Sequence, residues 1–344
     1  MTLFEKDCSD VPPPMSLSFF TATIAIILFI FTVPTNLLIC WVVYKERRRL
    51  LRNAFNCLVV NLAFADLVVG LVVLTISTYV HLLEALTNHP NLPVLPVGHI
   101  SYFICCTAST FSLTAMAIDR YIAVAYPVLY RNTISQRRAV VVSICIWFVS
   151  IFLPSIVYFQ VGFIKYAFIF ANIAIVATGI IFFFSYIAIY RKLRVQFQMS
   201  SQLQSGTESA QRRALEHEKR IANTFVIILV AYLICYMPSC VLIYILNFCR
   251  SCSCVTIHWF RDLQYVFIWL NSSLNPFLYS WRIPSLREAI FSSLPCQRWR
   301  MRNQAPSAAQ VLEMTDQLRG SHDCMRQSTT SEHGACTRAC TQRS

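Results

Sequence analysis

Seven apolar stretches, each long enough to cross a bilayer, run along the sequence and restrict what the chain can become. A hydrocarbon core of about 30 Å requires roughly 20 helical residues. The spans read as Phe19–Tyr44, Ala54–Leu82, Gly98–Val124, Ala139–Phe159, Tyr166–Tyr190, Ile221–Phe248 and Trp259–Trp281. Their apolar character is continuous rather than alternating, so each closes its backbone hydrogen bonds within one helix instead of in a barrel. Charged residues make up 13% of the chain, about half the share of a soluble domain, and 56% of residues are hydrophobic. The expected fold is all-α, a seven-transmembrane helix bundle.

Basic residues orient it. Lys45, Arg47, Arg48, Arg49 and Arg52 follow the first span, Arg131, Arg137 and Arg138 the third, and Arg191, Lys192, Arg194, Arg212, Arg213, Lys219 and Arg220 the fifth, while the alternate loops are nearly free of them. Odd loops are therefore expected in the cytoplasm, with the N-terminus outside. The formal charge of +13 reads as attraction to an anionic inner leaflet rather than to nucleic acid. The chain divides into an extracellular N-terminal tail (1–18), the bundle (19–282), a short amphipathic cytoplasmic helix (283–295) and a disordered cytoplasmic tail (296–344). The tail before Ser18 is polar and proline-bearing, so the first apolar run is expected to act as a signal anchor.

Polar and special residues recur inside the spans in a set order. Asn36 lies in the first; Asn61, Leu62, Ala63, Ala65 and Asp66 in the second; Asp119, Arg120 and Tyr121 end the third, with Pro127 following; Trp147 marks the fourth, Pro238 follows Cys235 in the sixth, and Asn275, Pro276 and Tyr279 lie in the seventh. This ordered set resembles the rhodopsin-like (class A) G-protein-coupled receptors over essentially all seven spans. The resemblance implies a plasma-membrane, multi-pass receptor that binds an extracellular ligand within the bundle and activates heterotrimeric G proteins by opening of the sixth helix. It also implies arrestin and a receptor kinase as partners, beside membrane lipids.

Asp66 costs most to bury, since a carboxylate at mid-bilayer is disfavoured by roughly 2.5–3.5 kcal/mol on insertion scales. It needs polar neighbours, and Ser109, Asn271 and Asn275 are the candidates. The resemblance adds a sodium ion at Asp66; the alternative is a network of hydrogen bonds alone. Arg120 is expected to pair with Asp119 and, across the bundle, with Glu218, which stands where the family often places the partner of its switch arginine. Tyr186 and Tyr279 are candidates to stabilise the opened inner cavity. Pro238 removes a backbone hydrogen bond and permits a kink on which the lower sixth helix can swing.

The sequence also departs from the family. No cysteine stands at the outer end of the third span or between Phe159 and Tyr166, so the usual staple there is absent; Thr178 replaces a proline in the fifth span, and Tyr236 and Tyr232 replace a tryptophan and a phenylalanine in the sixth. The short second loop and proline-free fifth span resemble the melanocortin, lysophospholipid and cannabinoid branch, while the text around Arg120 and Asn275 is similar to adenosine receptors. Cys249, Cys252 and Cys254 lie beyond the sixth span, and Cys249 with Cys254 is the local bridge taken forward. With Cys8 there are four outer cysteines, however, and four allow three connectivities.

Ligand chemistry follows by exclusion. No aspartate lies between Asp66 and Asp119, so Tyr102 replaces the ammonium-binding carboxylate of monoamine receptors; no lysine follows Lys219, so a retinal Schiff base is excluded, with Trp269 at its place. Acidic residues that would meet a basic melanocortin peptide are not evident. A pocket of Tyr102, Cys106, Tyr236, Tyr265 and Trp269 is expected, favouring a small-molecule, lipid-like or peptide ligand. Cys296 is a candidate palmitoylation site. No metal-ligand spacing or nucleophile-base pair points to an enzyme. A polytopic transporter or channel is the rival class, opposed by only 7 glycines and no obvious inverted repeat.

Overall fold

The computed structural model describes residues 8, 11–51, 53–87, 94–162, 165–174 and 230–293, with single positions at 179, 183, 187, 190, 191, 194 and 227. The chain is a seven-helix membrane bundle. Its long helices are α1 (Met15–Lys45), α2 (Ala54–Thr87), α3 (Leu95–Ala125), α4 (Gln136–Val161), α5 (described over 165–174), α6 (Val230–Phe248) and α7 (Cys254–Arg282). α8 (Pro284–Ser293) follows α7 directly. Short helical turns at Arg47–Leu50 and Pro127–Thr133 link α1 to α2 and α3 to α4.

Most helices outrun the apolar spans that announce them. α1 begins at Met15 rather than Phe19, α2 reaches Thr87 rather than Leu82, and α7 begins at Cys254 rather than Trp259. The reason is local: Ser253 caps α7 by accepting a hydrogen bond from the Thr256 amide, and Asn53 caps α2 through the Phe55 amide. Hydrocarbon thickness sets the apolar length, whereas caps set where the backbone stops being helical. α1, α2, α3, α4 and α6 are each apolar and long enough to span a membrane, and α7 is long enough but carries Arg261 and Asp262.

α1 packs on α2 and α7, α2 on α3 and α4, and α3 on α4. α2 is not uniform. Residues Val69–Leu74 form a π-helical turn, which shifts the register of everything above it, Thr75–Thr87 included. Gly70 sits in that turn, where an added Cβ would lie 2.6 Å from Cγ2 of Val33, so α1 and α2 approach closely because this residue has no side chain. The outer surface is what a lipid solvent requires: Ile144, Phe148, Ile151, Phe152 and Ile156 of α4 are all exposed.

Polar contacts lock the interior. Asn36 Nδ2 donates to the carbonyls of Thr32 (3.0 Å) and Ser272 (3.3 Å), tying α1 to α7, and Trp147 Nε1 donates to Asn61 Oδ1 (2.9 Å) while Asn61 Nδ2 donates to Ser112 (2.7 Å), tying α4, α2 and α3. The motif residues of the sequence thus become interhelical ties. By packing, the chain divides into Met1–Ile290 and Phe291–Ser344. Within the first unit Arg49 and Glu288 form an exposed ion pair at 2.8 Å, and Leu286 and Ala289 are buried. Of the second unit the description covers Phe291–Ser293, the last turn of α8.

The disulfide expected between Cys249 and Cys254 is corrected. Both cysteines are bridged, but Cys249 pairs with Cys252 and Cys254 with Cys8, with Cα separations of 5.7 and 5.6 Å. Cys254 is the first residue of α7 and takes the direction of that helix, whereas Cys249 and Cys252 share the tight link after α6. The N-terminal segment is thereby fastened to α7, and His258 Nε2 lies 2.8 Å from the Val11 carbonyl oxygen to reinforce it.

Candidate functional site

Three groups of buried polar or aromatic residues lie at different depths of the bundle. At the end where α3 meets the Pro127–Thr133 turn, Asp119 and Arg120 are both almost wholly buried. Arg120 Nε donates to Asp119 Oδ2 at 2.9 Å, and its Nη2 donates to the same oxygen and to the Tyr130 hydroxyl at 3.1 Å. Tyr130 in turn donates to Asp119 Oδ1 at 3.1 Å, and the guanidinium carbon stands 4.4 Å from the Phe55 ring centroid. Burial pushes the Tyr130 phenol up to about 12, so it remains a donor at neutral pH. A charge-assisted ring and one cation–π contact therefore hold Arg120 inward. Tyr121 instead packs edge-on against Tyr126. Glu218 and Tyr186, expected here, lie outside the described residues.

At mid-depth Asp66 is fully buried; Asn275 Nδ2 donates to its Oδ2 at 2.9 Å, and its Oδ1 has no partner. Ser109 and Asn271 are buried as well, but the side chains that hydrogen-bond to Asp66 are those of Asn275 and Ser272. An unpartnered carboxylate oxygen beside amide and hydroxyl groups is a donor set that fits a hard monovalent cation. Tyr279 lies deeper in α7 with its hydroxyl buried and unpartnered.

Toward the disulfide-bearing end a cavity of about 50 Å³ opens between α2, α3 and α7. Of the expected pocket residues, Tyr102, Tyr265 and Trp269 line it; Cys106 and Tyr236 do not, because Cys106 is packed between Tyr102 and Tyr236 beneath it. The cavity lies toward α2, where Val73, Ile76, Ser77 and His81 complete the wall. The π-helical turn ends at Leu74, two residues before Ile76, and so sets which faces of the outer α2 point inward. Tyr265 stacks on Trp269 at 5.8 Å between centroids, and Tyr102 meets Tyr265 edge-on at 5.3 Å. Tyr102 also donates to Gln264 Oε1 at 3.2 Å.

Sequence reasoning missed the charges above this cavity. Glu84 of α2 and Asp262 of α7 are both buried. His81 Nδ1 lies 3.0 Å from Glu84 Oε2 and 3.7 Å from Asp262 Oδ2; Ser18 and Thr21 of α1 donate to Glu84 and Asp262; and Arg261 reaches Asp262 at 2.8 Å and Glu84 at 3.5 Å. The signal was present as a charged residue within a helix, Asp262 at the seventh span, and as the helical i, i+3 spacing of His81 and Glu84. Ending the second span at Leu82 placed Glu84 in a loop.

The sequence carrying these three polar tiers matches a known family model: residues 35–279 fit the 7 transmembrane receptor (rhodopsin family). The chain belongs to that family. Among curated proteins the receptor is similar to the D(1B) dopamine receptor of Xenopus laevis, 25% identical over 81% of this chain and 70% of the relative. It is also similar to the adenosine receptor A2a of Homo sapiens, 27% identical, and of Canis lupus familiaris, 26% identical, each over 77% of this chain and 70% of the relative. It is a G-protein-coupled, multi-pass plasma-membrane receptor rather than an enzyme, and the transporter alternative loses its support.

Proposed function

We propose that the receptor is kept closed by the ring of Asp119, Arg120 and Tyr130, and that an extracellular ligand bound among α2, α3 and α7 releases it by favouring an arrangement in which the lower α6 has swung outward. The observation that carries this reading is the burial of Arg120, a permanent cation, against Asp119, Tyr130 and Phe55. A buried guanidinium is stable only while its partners remain, so anything that separates them exposes Arg120 to the G protein. A ligand shifts the balance by its differential affinity for the two arrangements. Glu218 adds a second acid from the stretch preceding α6, Tyr186 and Tyr279 steady the opened form, and Pro238 is the flexure.

Orientation supports the same reading. The two disulfides fit an oxidising exterior, and Arg47, Arg48, Arg49, Arg137 and Arg138 gather at the opposite end, so the N-terminus belongs outside. Asp66 with its free Oδ1 suits a sodium ion that favours the closed state; sodium is then expected to weaken agonist potency, and Asp66→Asn to abolish that dependence. Lipids cover the apolar groove of about 730 Å³ that Tyr44, Phe64, Trp147 and Phe152 line between α1, α2 and α4. Arrestin, a receptor kinase and palmitate on Cys296 complete the partners, the last at a residue outside the described ones.

Nucleotide exchange on added heterotrimeric G protein tests the proposal. Asp119→Asn should raise basal exchange, and Arg120→Ala should remove it while leaving the receptor folded. Basal exchange unchanged in the first variant would remove the lock from the account.

A further inference from the structure

We propose that the ligand of this receptor carries an organic ammonium or guanidinium group, received by the carboxylates of Glu84 and Asp262 at the outer ends of α2 and α7. The inference rests on the reading of the α2–α3–α7 cavity as the ligand site and specifies what enters it. The third helix offers no acid there, since Tyr102 stands at that level, so the carboxylates come from a different pair of helices.

Four observations converge. Two buried carboxylates face one another across α2 and α7, and Arg261 is the one arginine or lysine among the described residues that reaches them. The two carboxylates thus share a single guanidinium. Arg261 is also its one accessible member, its side chain 27% exposed while those of Glu84 and Asp262 are 2% and 1% exposed. It occupies the acids as a tethered surrogate for a cation arriving from outside, at a longer 3.5 Å on the Glu84 side.

The cavity beneath is walled by Tyr102, Tyr265 and Trp269, with His81 joining it to the acids. Stacked and edge-on aromatic faces attract organic cations through their quadrupoles and accept the apolar part of the molecule. Independently of the charges, Trp269 is 1% exposed, lines this cavity and has a buried Nε1–H without a partner. An orphan donor at that depth lacks an acceptor, so the ligand should also bring an oxygen. The combination describes a compact organic cation bearing a hydroxyl, ether or carbonyl.

Matched small probes read each feature separately. Thermal unfolding of the purified full-length receptor in nanodiscs would be followed with ethanolamine, with ethylamine, which lacks the oxygen, with ethylene glycol, which lacks the charge, and with glycolate, which reverses it. Ethanolamine should raise the midpoint most, and glycol and glycolate should have no saturable effect. Glu84→Gln or Asp262→Asn should weaken the apparent affinity for ethanolamine by about tenfold, the scale of one lost charge-assisted hydrogen bond. Arg261→Gln should strengthen it, because the competing guanidinium is gone; a merely structural ion pair would show no such gain. Trp269→Phe should erase the preference for ethanolamine over ethylamine. Equal shifts from ethanolamine and ethylene glycol, or undiminished ethanolamine affinity in both carboxylate variants, would overturn the proposal. G-protein nucleotide exchange on the same preparation reports separately on the receptor mechanism, so failure of one is not mistaken for failure of the other.

Discussion

Arg120 shows how a single residue can hold a state. Its neighbour Asp119 supplies the charge, Tyr130 bridges the two, and Phe55 covers the guanidinium face. Tyr130→Phe removes the bridging hydroxyl and keeps the ring, so it should raise basal nucleotide exchange less than Asp119→Asn does. Hydrogen bonds to charged groups are worth about 1.5–3 kcal/mol, which sets a ceiling of roughly ten- to hundredfold on the shift. The pairing of Asp119 with Arg120 was legible in the sequence because the residues are adjacent. Tyr130 and Phe55 were not, since one comes from a loop turn and the other from α2, and nothing in their spacing announces the meeting. Glu84 and Asp262 escaped for a related reason: they lie 178 positions apart, and only the packing of α2 on the α1–α7 side unites them.

Among elements, α2 carries the most consequence. Its π-helical turn at Val69–Leu74 re-aims the outer segment that bears Ile76, Ser77, His81 and Glu84, and Gly70 allows α1 to lie against it. Gly70→Ala would drive a methyl group into Val33, a β-branched side chain with little freedom to yield. The receptor should lose about 1–3 kcal/mol, measured as a lowered unfolding midpoint, and amine-probe binding should weaken with it. Hydrophobic runs revealed the helices themselves, because a bilayer demands length. They did not reveal where the helices end, which is decided by Asn53, Ser253 and similar caps, nor the π-helical turn, whose sequence, Val-Gly-Leu-Val-Val-Leu, reads as ordinary apolar helix. The pocket moved toward α2 for the same reason.

Across the whole molecule the ends are differently built. At one, the Cys8–Cys254 bridge joins residues 246 positions apart and fixes the N-terminal segment to α7; at the other, a ring of hydrogen bonds holds Arg120. Long closed loops gain most from a cross-link, so Cys8→Ser should cost about 2–4 kcal/mol and lower the unfolding midpoint more than Cys252→Ser, whose bridge spans a separation of three. The seven-helix plan was readable from the apolar runs and its family from motif order, whereas the cluster of Glu84, Asp262 and Arg261 required the folded bundle. The central claim is a two-state bundle that opens at the Arg120 end. Pulsed electron paramagnetic resonance between spin labels at Arg137, at the start of α4, and Lys219, in the sequence preceding α6, measures it most directly, with and without nucleotide-free G protein. A second, longer distance should appear with G protein and be enriched in Asp119→Asn; one unchanged distribution under all conditions would contradict the account.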